Sequence, residues 1–433
     1  MKVLVLNSGS SSQKSCLYEI GDTLPGDPPA ANWEGKIEWV DEQARFSIRN
    51  SGGVSRKEVT PAGSRGEAIE RLLQSLWGGD TQAVSGPSDI DVVGHRVVHG
   101  GPKYFEPALV TAEVKSAIES VSVFAPLHNR AELQGMEIVA KLLGPVPQVA
   151  VFDTGFHRTM PLAAATYPGP YEWFEQGIRR YGFHGINHQY CAQRAAQLLG
   201  KNLNSLKLVT CHLGNGCSLA AIREGRSVDT TMGFTPLEGL MMGTRSGSVD
   251  PGILTYLMRQ RQFSASQLDD ALNKKSGLLG ISGISSDMRG ILAASKNGND
   301  PAKQARAKLA LDMYVHRLSS GIGAMVAVLG GVDALIFTAG VGENSPEVRA
   351  AVCDSFAFLG VRLDEVKNAQ SPLDNDKDKD ISAPDAAVRV LVIRAQEDWM
   401  IARECWNLVR TRTKAHPRSG DGNHSAASGD SLS

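Results

Sequence analysis

The stretch Lys2-Val3-Leu4-Val5-Leu6-Asn7-Ser8-Gly9-Ser10-Ser11-Ser12-Gln13-Lys14-Ser15-Cys16-Leu17-Tyr18-Glu19-Ile20 moves from a valine-rich apolar run through a patch of small polar residues and back into an apolar pattern. That is the grammar of a β-hairpin with a small-residue tip. It returns at Leu206 to Ile222, where an apolar run ending in Thr210-Cys211 meets His212-Leu213-Gly214-Asn215-Gly216 and continues as Cys217 to Ile222. The recurrence reads as an internal repeat. A chain that opens each half with strand, Gly/Ser turn and strand suggests two related α/β domains facing each other across a cleft; two unrelated hairpins are the plainer alternative.

The segments around the hairpins alternate as an α/β chain should. Ser64 with Glu67 forms a capping-box pattern ahead of Ile69, Leu72, Leu73 and Leu76 at helical spacing, which predicts a helix over Ser64 to Trp77. Asp91 to His99 reads as a buried strand, Arg130 to Leu143 as a helix and Val149 to Asp153 as a strand ending on an acid. Farther on come a long helix from Ala302 to Leu329, a strand from Ala334 to Thr338, and a strand from Val388 to Ile393 feeding a helix from Asp398 to Leu408. Gly21 to Ala31 is expected as a surface loop, and the Ser- and Gly-rich stretch from Thr411 as a disordered tail.

Bulk composition narrows the function classes. The 433 residues exceed what one core comfortably supports, so two packed domains are expected. With 42% apolar and 21% charged residues and a formal net charge of -1, the chain carries no field strong enough to gather nucleic acid or an anionic membrane. No run approaches the roughly 18 apolar residues of a membrane helix, and Met1-Lys2 leads directly into a strand rather than a signal-peptide pattern, so the expected location is the cytoplasm. The six cysteines show no C-x-x-C pair and read as reduced, buried thiols.

Three turns look built to hold phosphate. Asn7 to Ser12 and His212 to Gly216 place unhindered backbone N–H groups at strand ends. Gly340-Val341-Gly342-Glu343-Asn344 follows a strand and precedes Ser345-Pro346-Glu347, a helix start with proline at its first position. Each alone is a weak signal, because glycine at a hairpin tip is usually plain turn geometry. None is a P-loop or a dinucleotide fingerprint, so another nucleotide fold is implied. Lys14, just past the first turn, could neutralise a phosphate or be a solvated strand lysine. Histidines crowd the middle of the chain, at His95, His99, His128, His157, His184, His188 and His212. His95 and His99, four strand residues apart, would have Cα atoms separated by roughly 13 Å, and the glycines around His184 and His188 argue against a helix that would align them on a metal. They read as hydrogen-bonding groups. Arg96 is charged within an apolar strand, an expensive placement without a partner or anionic ligand. Asp153 closes a strand and Arg245 lies in a glycine-rich segment, so both could reach a cleft; a structural ion pair is the alternative for each.

Taken together, Asn7 to Lys14, Gly94-His95-Arg96-Val97-Val98-His99-Gly100-Gly101, Pro126-Leu127-His128-Asn129, Phe152-Asp153-Thr154-Gly155-Phe156-His157, Tyr181-Gly182-Phe183-His184-Gly185, His212 to Gly216 and Gly340 to Ser345 resemble, in order, the acetate kinase family. The resemblance covers Lys2 to about Arg403. It implies an α/β fold of two duplicated actin-like, ribonuclease H-like domains: residues 1–153 completed by a C-terminal helix around 396–410, and residues 154–395, with 411–433 as a tail. It also implies roles. Asn7 and Glu397 would help bind Mg²⁺, with Mn²⁺ as an alternative. Lys14, the turn His212, Leu213, Gly214, Asn215 and Gly216, the segment Asp287, Met288 and Arg289, and Gly340, Val341, Gly342, Glu343 and Asn344 would contact ATP or ADP. Arg96 would hold the substrate carboxylate, Val98, Leu127, Phe183 and Pro236 would form the small apolar pocket, and Asp153, His184 and Arg245 would be catalytic. Acetate and ATP are the implied substrates and a homodimer the implied assembly.

The chain departs from the family pattern in two places. Arg394-Ala395 replaces the usual Pro-Thr before the acid Glu397, and Ser248 stands where an acidic or amide residue is common. Propionate or butyrate kinase activity is the nearest alternative, and a non-catalytic ATP clamp a more distant one.

Overall fold

The computed structural model describes residues 1–9, 12–124, 126–298, 300–370 and 378–415. The opening hairpin forms as expected, with β1 (Lys2–Ser8) and β2 (Ser12–Glu19) antiparallel and Asn7 opposite Lys14. Then follow β3 (Trp33–Val40), β4 (Gln43–Asn50), β5 (Ser55–Pro61), β6 (Val92–Val97), β7 (Ala108–Leu109) and β8 (Gln148–Phe152), giving one sheet in the order β5-β4-β3-β2-β1-β6-β8-β7. The second sheet contains β9 (Lys207–Leu213), β10 (Cys217–Arg223), β11 (Arg226–Thr230), β12 (Ala334–Thr338), β13 (Lys379–Asp380) and β14 (Arg389–Val392), in the order β11-β10-β9-β12-β14-β13.

The two orders contain the same plan. Each has an antiparallel meander, β1-β2-β3 or β9-β10-β11, whose first strand runs parallel to a fourth and then a fifth, β6 and β8 or β12 and β14. Each closes with a two-residue antiparallel edge strand, β7 or β13. The repeat seen in two glycine-tipped hairpins therefore extends through both sheets; β4 and β5 are an addition to the first.

The sheets share an apolar core. Val3, Val5 and Val149 of the first sheet and Leu208, Ile336 and Leu391 of the second join one buried cluster around the helices Gly185–Leu199 and Glu397–Ala415. Strands covered on both faces read as continuous apolar runs, as β1 and β12 do. Gly94 on β6 shows how tightly the C-terminal helix seats, since a Cβ there would lie 2.6 Å from both Cys405 Sγ and Ile401 Cγ2.

Several expected boundaries move. The capping box is present at Ser64 and Glu67, opening the helix Arg65–Gln74. The helix expected from Arg130 starts at Pro126, proline being well suited to a first turn. The tail expected from Thr411 instead begins as helix, which runs to Ala415, and the remainder of that stretch lies outside the described residues. Gly340 to Asn344, expected as an open turn, is a helical turn, Ala339–Asn344. There Ala339, the first residue of the turn, takes a left-handed φ of 63°. All six cysteines are buried and unpaired, and burial pushes every thiol pKa up.

Candidate active site

Parallel strands gather their C-terminal ends along one edge of a sheet, where ligands commonly bind. Asn7 near the end of β1, Arg96 near the end of β6 and Asp153 just past β8 lie along that edge of the first sheet; His212 on β9 and Thr338 on β12 lie side by side in register along that of the second.

Arg96 and Asp153 pair with each other, Nη2 to Oδ2 at 2.6 Å, with Asp153 fully buried. Burial alone would lower the Arg96 pKa, but the charges of Asp153 and Glu397 outweigh it and hold the guanidinium above its ordinary value. The same Asp153 Oδ2 accepts from the His184 backbone N–H at 3.1 Å. His184 adopts a left-handed φ of 58° at the start of the 185–199 helix, a conformation costly for a residue with a Cβ and one that clusters at functional sites. The pair is incomplete in itself, because Arg96 Nε and Asp153 Oδ1 are buried with no hydrogen-bond partner among the described residues. Such orphaned atoms call for a ligand or an ion.

Asn7 Nδ2 donates to Glu397 Oε2 at 3.2 Å and to Asp398 Oδ1 at 3.0 Å. Lys14 Nζ pairs with Asp398 Oδ2 at 2.5 Å, so its charge is engaged within the first sheet and the C-terminal helix. Burial, opposed by Arg96 and assisted by Asp153, raises the Glu397 pKa. Among the described residues no group of three or more His, Cys, Asp or Glu side chains could hold a metal ion. The Glu397 carboxylate, the Asn7 side-chain oxygen and Asp153 Oδ1, which has no hydrogen-bond partner among the described residues, are nevertheless oxygen donors of the kind Mg²⁺ takes when substrate phosphates and water complete its shell.

Beside the Arg96–Asp153 pair, His184 and His212 stack with ring centroids 3.9 Å apart and planes 12° from parallel. Burial pushes the His184 pKa well below its ordinary value, helped by His212 and Arg96, and holds His212 down at about 4. Both are neutral at physiological pH. The Asn187 amide donates to His212 Nδ1 at 2.9 Å, which leaves the ring proton on Nε2, beside Gly214. Gly216 lets two groups close in, since a Cβ there would stand 3.3 Å from Arg245 Nη1 and 3.5 Å from His184 Cε1. Arg245 Nη1 donates to Pro236 O at 3.1 Å, and burial lowers its pKa.

The expected nucleotide segments adjoin one another. A Cβ on Gly214 would lie 3.8 Å from Ala339 Cβ, and one on Gly243 would strike Asn215 Oδ1 and Ser286 O. Asp287 caps the helix Met288–Asn297 and pairs with the exposed Arg289, while the Met288 side chain is buried in the core of the second sheet. Gly340 has open space where a side chain would stand. Leu213 and Val341 pack in the same core, and Asn344 Nδ2 donates to Gly340 O.

Residues 2–403 match the acetokinase family. The chain belongs to the acetokinase family. It is 59% identical over 417 residues to the acetate kinase of a Cyanothece species, covering 96% of this chain and all of that protein. It is 59% identical over 414 residues to that of Gloeobacter violaceus, covering 95% of this chain and all of that protein. Among solved structures, Porphyromonas gingivalis acetate kinase superposes with a TM-score of 0.84 at 40% identity, over 94% of this chain and 99% of that one. A propionate kinase from Francisella tularensis gives 0.83 at 34% identity, with the same coverage.

In this acetokinase, Val98 and Phe183 are buried in one cluster, with the His99 ring edge-on to Phe183; the Leu127 side chain lies outside the described residues. The unusual Arg394-Ala395 segment is held from the 339–344 helical turn, where Glu343 Oε1 accepts from both Ala339 N–H at 2.8 Å and Ala395 N–H at 2.9 Å. Glu343 is thus spent on backbone. Residues the sequence reading left without a role also lie here. Glu132 is buried and accepts from Val98 N–H, and its place among Asn129, Met136 and Val139 on the helix's buried face was a legible signal. Ser218 and Thr210 had none, being small residues in an apolar strand pattern.

Proposed function

We infer that this acetokinase is an acetate kinase, catalysing reversible transfer of the γ-phosphoryl group of ATP to acetate to give acetyl phosphate and ADP. The observation that carries the site assignment is the Arg96–Asp153 pair with an unused Nε on one partner and an unused Oδ1 on the other. Arg96 Nε holds the acid's carboxylate, with Val98, Phe183 and Pro236 around its methyl group. The His212–Gly216, Asp287–Arg289 and Gly340–Asn344 segments hold the nucleotide on the second sheet.

The substrate needs no base, since a simple carboxylic acid with a pKa near the Glu reference of about 4.3 is already ionised at neutral pH. Asp153 therefore orients: its Oδ2 ties Arg96 to the His184 backbone. Asn7, Glu397 and Asp153 Oδ1 would hold Mg²⁺, which when bound neutralises phosphate charge. The phosphoryl group passes through a loose in-line transition state whose equatorial oxygens need donors already in place. Arg245 and neutral His184, side by side over Gly216, supply them. A non-catalytic clamp would have no use for two arginines converging beside a small apolar pocket.

Acetate is favoured over propionate by relatives such as those of the Cyanothece species and Gloeobacter violaceus, both acetate kinases at 59% identity. One methylene is worth about 1–3 kcal/mol in such a pocket, so kcat/KM for acetate should exceed that for propionate by about tenfold or more. Trapping acyl phosphate as hydroxamate with acetate, propionate and butyrate tests this: higher kcat/KM for propionate would change the substrate, and no product with any acid would end the kinase reading. The cytoplasm and a homodimer complete the proposal. The helix Pro251–Arg261 buries none of its residues and exposes Ile253, Tyr256 and Met258, and is the face on which a second copy is expected.

A further inference from the structure

The crowded histidines are not used up by the chemistry above. Behind His184 runs a buried chain of hydrogen bonds: Thr210 Oγ1 to His188 Nδ1 at 2.6 Å, His188 Nε2 to Ser218 Oγ at 2.7 Å, and Ser218 Oγ to His184 Nδ1 at 2.8 Å. Thr210, Ser218 and His188 are all fully buried. Cross-strand register explains the alignment. Thr210 and His212 alternate on β9, and Ser218 stands opposite His212 on β10, so the three share the sheet face covered by the 185–199 helix.

We propose that Thr210, His188 and Ser218 are positioning residues whose hydrogen-bond chain fixes the proton of His184 on Nε2 and aims it at the transferring phosphoryl group. Such a chain can run in two directions. If it runs from Thr210, the threonine hydroxyl donates to His188 Nδ1, His188 Nε2–H to Ser218, and the serine hydroxyl to His184 Nδ1. Every internal proton then has an acceptor, and the one left over is His184 Nε2–H. Run the other way, the Thr210 hydroxyl proton is left in a fully buried site with no acceptor among the described residues. His184 would also present a bare lone pair beside Arg245, toward an incoming anion. Buried donors are rarely left unpaired, and a lone pair facing a phosphoryl oxygen is repulsive, so both ends of the chain select the first direction. Burial supports it by keeping His184 and His188 neutral, their pKa values pushed well below the ordinary one. A neutral ring with a fixed tautomer donates without needing to reorganise.

This inference rests on phosphoryl transfer as the reaction, but one of its readouts needs no turnover. In ¹⁵N-histidine NMR of the full chain near neutral pH, His184 should show a protonated Nε2 and a bare Nδ1. Ser218→Ala should convert it to a tautomer mixture and lower kcat by about ten- to a hundredfold, with KM for ATP and acetate within about twofold. Ser218→Thr, which restores a hydroxyl, should recover most of the loss. An Nδ1–H tautomer or an imidazolium in the wild-type protein would overturn the proposal without any variant. So would a Ser218→Ala protein with both tautomer and kcat unchanged. A wild-type protein with the expected tautomer that phosphorylates no acid would instead count against the proposed function.

Discussion

Single side chains decide this site because burial makes each polar atom accountable. Glu132 is the sharpest case: burial, opposed by Arg96 and by the Val98 N–H, pushes its pKa up to about 8. The fields of Arg96 on β6, Asp153 after β8 and Arg65 at the start of the 65–74 helix reach it. The folded chain keeps a proton that the unfolded chain releases above its ordinary carboxyl range, so this group's contribution to stability is full in acid and is lost as pH rises toward 8. Glu132→Gln, which keeps an oxygen for Val98 N–H, should therefore leave stability near about pH 5 almost unchanged and raise it by up to a few kcal/mol near about pH 9. Urea unfolding at the two pH values checks this, and a gain equal at both would contradict it. At this scale the sequence was partly legible. A charge in an apolar strand marked Arg96, and an acid at a strand end marked Asp153. Their pairing with each other was not readable, because the two residues lie 57 positions apart in the chain and are brought together by the parallel register that runs from Val93 with Gln148 to Val97 with Phe152.

Elements place these side chains through a few close approaches. The hairpins were legible because glycine and serine between valine-rich runs have few other uses, and the capping box because it is local chemistry. Where the reading missed, the cause was tertiary. Thr411 and the polar residues after it look like a tail, yet the C-terminal helix continues to Ala415, tied to the 21–31 loop by Trp406 Nε1 donating to Gly21 O at 3.1 Å and by Arg410 paired with Asp22. Gly94 is the other face of that docking. Gly94→Val would force Ile401 and Cys405 away from β6 and should cost about 1–3 kcal/mol or more by overpacking, moving Glu397 with the helix it begins. Chemical denaturation should show the lost stability and the hydroxamate assay a lower kcat; an unaltered unfolding midpoint would mean that the helix does not seat on β6 as described.

The whole molecule repeats one sheet plan and uses the copies differently. The first sheet, with the helix that returns to it from the C-terminus, brings Asn7, Arg96, Asp153 and Glu397 together; the second brings the glycine turns, His212 and Arg245. The duplication could be suspected from two hairpins, but the shared order of the parallel strands, with β12 and β14 more than a hundred residues beyond β9, required the structure. This division of labour implies that acid and nucleotide binding separate by mutation. The direct test is steady-state kinetics of Arg96→Ala on the full chain with ATP, Mg²⁺ and acetate. Losing a charge-assisted contact worth about 1.5–3 kcal/mol should raise KM for acetate by at least about tenfold, with KM for ATP within about twofold. An unchanged KM for acetate, or an equal loss for ATP, would contradict the account.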